Sequence, residues 1–231
     1  MYLTPQFLLE DRAQQFALIR ARPFGLLVTN GPGGLMANPA PFVLDTPTGG
    51  LDAQAGGLDM PRALDMPCAL GRLRAHLARA NPQWREADGV REALVVFQDV
   101  DAYVSPDWYP SKHATGKAVP TWNYSAVHVY GVLRAIQDRD WLRKMVDDLT
   151  GIHEAGRARP WKVDDAPADY LDAMLRGIVG VEIEITRIEG KAKLSQNRSA
   201  EDRAGVIAGL RAEGGEAAHK MAGQVEAANK S

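Results

Sequence analysis

Between residues 179 and 188, Val181, Ile183 and Ile185 alternate with Glu182, Glu184 and Thr186. A side-chain period of two sends one set into a core and the other into water, the pattern of a half-solvated antiparallel strand. Glu182 and Glu184 are accordingly expected on the solvent face, with no acid–base role. Such a strand needs partners, and the chain offers them. Residues 25–29 are a short apolar run followed by the turn chemistry Asn30-Gly-Pro-Gly-Gly34. Residues 35–44 can return, with Asn38, Pro39 and Pro41 placing that return at an irregular sheet edge. Residues 93–97 read as a buried strand, 102–104 as a short piece pairing back, and 125–136 and 70–78 as further strands.

Helical spacing appears at residues 11–22, where Asp11 can cap and Pro23 stops the helix. It recurs at 138–149, with Leu142, Met145, Val146 and Leu149 on one face, at 168–175 and at 200–210. Residues 81–91 read as a helical turn or loop. Gly214-Gly215 breaks the pattern, and 216–230 reads as a helix or a frayed tail. Residues 46–67, rich in Gly, Pro and Ala, read as a long loop. Five or six short strands with peripheral helices make the class α+β, a small antiparallel barrel. The expected division is a barrel domain at 1–198 and a C-terminal helical extension at 199–231.

The 231 residues suffice to bury a core. The formal net charge of -2, from 27 basic and 29 acidic residues, gives no general pull toward nucleic acid. The single cysteine, Cys68, allows no internal disulfide and reads as an inert thiol. No basic stretch leads into an apolar one at the start, and no apolar run nears the roughly 20 residues of a membrane helix. A cytoplasmic protein without a membrane partner is expected. The five histidines form no metal-binding pattern, and no Gly-x-Ser-x-Gly elbow is present.

Four polar–aromatic clusters stand out against this plain background. In His76-Leu-Ala-Arg-Ala-Asn-Pro-Gln-Trp84, Arg79 and Asn81 can grip a phosphate and a polar ring edge, with His76 adding a bond. A surface ion pair and a satisfied histidine explain the same residues. In Tyr103-Val-Ser-Pro-Asp-Trp-Tyr-Pro-Ser-Lys112, the hydroxyls and Lys112 suit an anion, and Trp108 and Tyr109 can wall a planar ring. A stiff proline-bounded loop is the plainer reading. In Val119-Pro-Thr-Trp-Asn-Tyr124, Thr121 and Asn123 beside Trp122 and Tyr124 suit a heteroaromatic ring, or else an aromatic core corner. In Gly190-Lys-Ala-Lys-Leu-Ser-Gln-Asn-Arg198, three cations accompany Gln196 and Asn197, which favours a ligand over a solvated basic turn. His128, alone on a strand, reads as structural.

Taken with Met1-Tyr-Leu-Thr-Pro-Gln-Phe7, Pro23-Phe-Gly-Leu-Leu-Val-Thr29 and Ala37-Asn38, these clusters resemble the PaiB-like family of FMN-binding negative transcriptional regulators, from residue 1 to about 210. The resemblance implies a split β-barrel of the kind shared with pyridoxamine-phosphate oxidases and flavin reductases. It also implies a homodimer holding FMN at the subunit interface. By motif, Arg79 with Ala78 and Asn81 would hold the phosphate, and Thr29 and Asn38 would face the flavin. His76 would add a contact. Lys193, Gln196, Asn197 and Arg198 would come from the late strand, and Lys112, Trp122 and Asn123 complete the set. The chain departs from the family at Asn38-Pro39, where members carry Asn-His, and by an insertion at residues 49–69.

Three functions compete on this scaffold: a flavin-binding regulator, an FMN-dependent oxidoreductase of the flavin-reductase or pyridoxamine-phosphate-oxidase type, and a cofactor-free or haem-binding dimeric scaffold. DNA as a partner is carried by the resemblance alone, since the helix with Arg203 and Arg211 reads as a solvated helix.

Overall fold

The structure, a computed structural model, describes residues 1–47 and 70–228. The 46–67 loop and Cys68 therefore lie almost wholly outside the described residues. Seven strands are found among the described residues: β1 Phe24–Gly31, β2 Gly34–Pro41, β3 Val43–Asp45, β4 Arg72–Ala78, β5 Asp88–Val104, β6 Thr121–Ile136 and β7 Ile178–Lys193. They form one sheet in the order β2-β1-β5-β6-β7-β4-β3. The pairs β1–β2, β1–β5, β3–β4 and β4–β7 are antiparallel, with Leu27 opposite Asn38, Leu26 opposite Val96, and Ala75 opposite Val181. Strands β2 and β3 sit at opposite ends of this order, yet only Phe42 separates them in sequence. A sheet whose two edges are joined by one residue has to curl onto itself, which is the split barrel.

Six helices accompany the sheet among the described residues: α1 Arg12–Ala21, α2 Pro110–Thr115, α3 Arg139–Glu154, α4 Ala168–Arg176, α5 Ala200–Glu213 and α6 Glu216–Ala227. Asp138 caps α3, its Oδ1 accepting from the Trp141 amide at 2.8 Å. The chain divides into two compact units. One comprises residues 1–18, 98–127 and 189–231; the other comprises 19–97 and 128–188. The second unit buries Leu27, Leu73, Val95, Phe97, Val129, Val181 and Ile183. Phe42 meets Phe97 edge-on there, at 5.7 Å between ring centroids. The first unit has its own cluster, Val104, Tyr109 and Leu194 with Val206 and Leu210 of α5 and Met221 and Val225 of α6.

Three expectations are corrected. The pieces at 93–97 and 102–104 are one strand, not a pair: Gln98-Asp-Val-Asp101 holds no glycine or proline to turn the chain. With β6 and β7, β5 makes three strands of 16 or 17 residues. Residues 216–227 form a helix packed by fully buried Met221, Ala222 and Val225, so this part of the tail is not frayed. Glu182 is buried, not solvated. Its cross-strand partner Arg74 bonds Asp148 of α3 at 2.8 Å, so a helix covers that face. Burial pushes the Glu182 carboxyl above the usual range, and Arg72, at 3.3 Å, opposes the shift.

Candidate functional site

In the unit of residues 19–97 and 128–188, a residue that sequence reasoning passed over organises the predicted set. Gln83 sits in the 3-10 turn Pro82–Glu86 and is wholly buried. Its amide nitrogen donates to the carbonyls of Leu27 at 3.0 Å and Met36 at 3.2 Å, and lies 3.3 Å from Thr29 Oγ1. Its carbonyl oxygen accepts from Asn38 Nδ2 at 2.9 Å. Asn81 caps the turn, its Oδ1 accepting from the Gln83 amide at 3.0 Å. Thr29, Asn38 and Asn81 are thus brought together around one glutamine, across the β1–β2 hairpin. The signal was present, since Gln83 belongs to the same quoted motif. A polar residue at zero exposure cannot, however, be read from its letter.

Arg79 follows β4 and clamps the start of β7. Its guanidinium donates to the carbonyls of Arg176 at 2.7 Å and Ile178 at 3.0 Å and to Gln137 Oε1 at 2.9 Å. Those acceptors are neutral, and no carboxylate is in ion-pair contact with it among the described residues. It lines a cleft of about 240 Å³ with Gln137, Arg139, Asp172 and Arg176. His76 stands opposite Gly180 of β7. Burial lowers its pKa, and its Nδ1 is a buried atom with no hydrogen-bond partner. Ala78 is exposed at the end of β4.

The other unit gathers most of the remaining set. Lys193, near the end of β7, bonds Thr121 Oγ1 and donates to the Trp122 carbonyl at 2.7 Å. Asn123, 1% exposed, donates to Ser195 Oγ at 2.9 Å. Ser195 has φ of 64°, the left-handed conformation that lets the chain leave β7 sharply. Gln196 spends its amide on that same turn, donating to Ala192 O at 2.6 Å and accepting from the Leu194 amide at 2.7 Å. Asn197 is exposed on it. Arg198 lies 4.5 Å from the centroid of the Tyr109 ring. Trp122 is 52% exposed, with its edge to Tyr103 at 5.9 Å. Lys112 is instead tied to Asp107, which keeps that carboxyl low. Lys191, part of the motif but not of the predicted set, is buried; it donates to Tyr2 O at 3.0 Å and faces the rings of Tyr2 and Tyr124.

Electrostatically, Lys191, Lys193 and Arg198 are three cations with no carboxylate in ion-pair contact among the described residues. Lys193 is held below its usual pKa, chiefly by burial and then by the charges of Lys191 and Arg198. Asp202 lies within electrostatic range of Arg198 without an ion-pair contact, so the cluster keeps an excess of positive charge that an anion can meet. Trp122, whose carbonyl takes the Lys193 bond, presents an exposed side chain on which a flat portion of that anion can stack. This donor set therefore suits the group that the family implies.

Residues 1–187 match the family model described as "Putative FMN-binding domain". A protein of Aspergillus fumigatus is 35% identical over 237 residues, covering 85% of each chain. Protease synthase and sporulation protein PAI 2 of Bacillus subtilis is 36% identical over 154 residues, 67% of this chain and 72% of that one. Among solved structures, the FAD and heme binding protein from Mycobacterium smegmatis superposes with a TM-score of 0.54 at 17% identity, covering 84% of this chain and 77% of that one. The flavocytochrome Anf3 from Azotobacter vinelandii gives 0.53 at 13%, covering 88% and 78%. These two likenesses are of fold. With the family model spanning 187 of the 231 residues, the chain belongs to the FMN-binding domain family that includes the PaiB type, folded as a split barrel.

Proposed function

We propose that this protein binds FMN as a cytoplasmic homodimer and serves as a PaiB-type regulator of transcription. The observation that carries FMN binding is the excess of positive charge at Lys191, Lys193 and Arg198, with Lys193 bonded to the carbonyl of Trp122, whose side chain is exposed. Lys193 and Arg198 would meet a negative charge of the cofactor, with Lys112, Asn123, Gln196 and Asn197 shaping the surroundings. Arg79, with Thr29, Asn38, His76, Ala78 and Asn81, is proposed separately on the family motif. FMN, when bound, supplies electron-transfer chemistry, and the protein supplies position and electrostatics. The regulatory role rests on the family likeness.

The test is the visible absorption spectrum of the purified protein, desalted after addition of FMN. A flavin spectrum is expected to stay with the wild type and to be lost on Lys193→Gln; Arg79→Ala is measured in parallel to judge the motif residues. If the wild type keeps no flavin at micromolar protein and FMN, the cofactor reading is wrong. Light scattering is expected to give the mass of two 25.1 kDa chains. For DNA, a mobility shift that weakens steeply with salt would mark phosphate contacts.

A further inference from the structure

In the unit of residues 19–97 and 128–188, a second cavity of about 280 Å³ is lined by none of the residues of that unit assigned to the flavin. It is lined by Ile19 and Arg20 at the end of α1, by Pro23, by Phe42, Val43 and Leu44 at the start of β3, and by Ile152 of α3. Four of these form a buried floor: Ile19, Phe42, Val43 and Leu44 are each at most 6% exposed. Ile152, 46% exposed, stands at the rim. Six of the seven lining side chains are apolar. The seventh, Arg20, is exposed, and its guanidinium has no ion pair or hydrogen bond among the described residues.

An apolar floor with a polar group among its lining residues is the usual form of a small-molecule site, and this volume lies just below the range of roughly 300–1,000 Å³ typical of that class. The buried walls supply no hydrogen-bonding side chain, which favours hydrocarbon for the buried part of an occupant. The lone guanidinium presents a planar fork matched to two oxygens on one centre. A phosphate dianion would leave charge unmet by a single arginine; a carboxylate would not. We infer that this cavity is a binding site for a small alkyl or aryl carboxylate, with its apolar body against Phe42, Val43 and Leu44 and its head on Arg20. None of Thr29, Asn38, His76, Ala78, Arg79 or Asn81 lines it, so the site stands or falls independently of the flavin.

The test uses the full-length protein and two probes of equal chain length, octanoate and 1-octanol, titrated by ligand-observed NMR. Octanoate is expected to bind roughly tenfold more tightly than octanol, the margin of a charge-assisted pair. Arg20→Gln should bring the two probes level, while Arg20→Lys restores part of the difference. Ile152→Glu, at the rim, should weaken octanoate more than octanol without lowering Tm. Equal binding of the two probes by the wild type would show a merely greasy cavity and overturn the inference. So would the absence of octanoate binding at millimolar concentration, or octanoate binding unchanged in Arg20→Gln. Retention of FMN is read on the same samples, so that loss of one site is not mistaken for loss of the other.

Discussion

Lys193 turns the burial of a charge into a measurable pH response. Its folded pKa lies below 10.5, first through burial and then through Lys191 and Arg198. The charged form is thus the one the fold disfavours. Its contribution to stability is most favourable above 10.5 and is lost as pH falls through the folded value. Anion binding has the opposite sign, because it needs the ammonium. FMN affinity is therefore expected to fall as pH rises through the folded pKa of Lys193, and Lys193→Gln should flatten that limb; a fluorescence titration of FMN across alkaline pH checks both. Arg74 makes the complementary case. Its guanidinium reaches Asp45 at 2.6 and 2.8 Å and Asp148 at 2.8 Å, at 8% exposure. Arg74→Met would leave Asp45 without its ion pair, while Asp148 keeps Lys144 at 3.3 Å, and is expected to cost about 3 kcal/mol in denaturant unfolding. At this scale the sequence showed which residues were unusual, including Arg79, Asn81 and Lys193, but not how far each was occupied. Gln196 looked like a ligand amide and closes a turn, and Gln83 looked like nothing and holds a hairpin. Burial decides both, and burial is set by distant segments.

Among the elements, local chemistry was legible where a cap or a breaker stood in the sequence. Asp11 and Gly214 mark helix ends that the structure keeps, with Ala13 N donating to Asp11 Oδ1 at 2.8 Å. The long β5 strand was misread because Gln98-Asp-Val-Asp101 looks too polar for a strand interior. The reason lies 120 residues on. Asp99 accepts from Lys220 Nζ and from Gln224 Nε2, both at 2.6 Å, so α6 supplies the partners that keep a polar stretch extended. Helix α5 is seated as closely. A Cβ at Gly205 would stand 1.9 Å from the Trp108 carbonyl oxygen, and one at Gly209 would stand 2.3 Å from the Trp108 ring. Gly205→Ala meets backbone that cannot yield like a side chain, and should cost about 1–3 kcal/mol or more by the overpacking rule. Thermal unfolding of Gly205→Ala beside the exposed, open Gly223→Ala separates that clash from ordinary helix propensity.

For the whole molecule, the barrel class was legible because period-two runs and turn residues are local signals. The closure through Phe42 was not, since it depends on which strands become edges. Residues 199–231 read from composition as an extension, yet Val206, Leu210, Met221, Ala222 and Val225 complete the apolar cluster around Val104 and Tyr109. A chain ending at residue 198 would expose that cluster, and is expected to be recovered insoluble or without the sharp amide dispersion of the full chain in a two-dimensional NMR spectrum. The two compact units are assembled from three and two separate stretches of sequence. Neither can therefore be cut out by one pair of primers, fused elsewhere as a cassette, or acquired through a single recombination event. Any ancestor that gained or lost one of them had to rewrite the middle of the chain, and a shotgun library of contiguous fragments will return neither half free of pieces of the other.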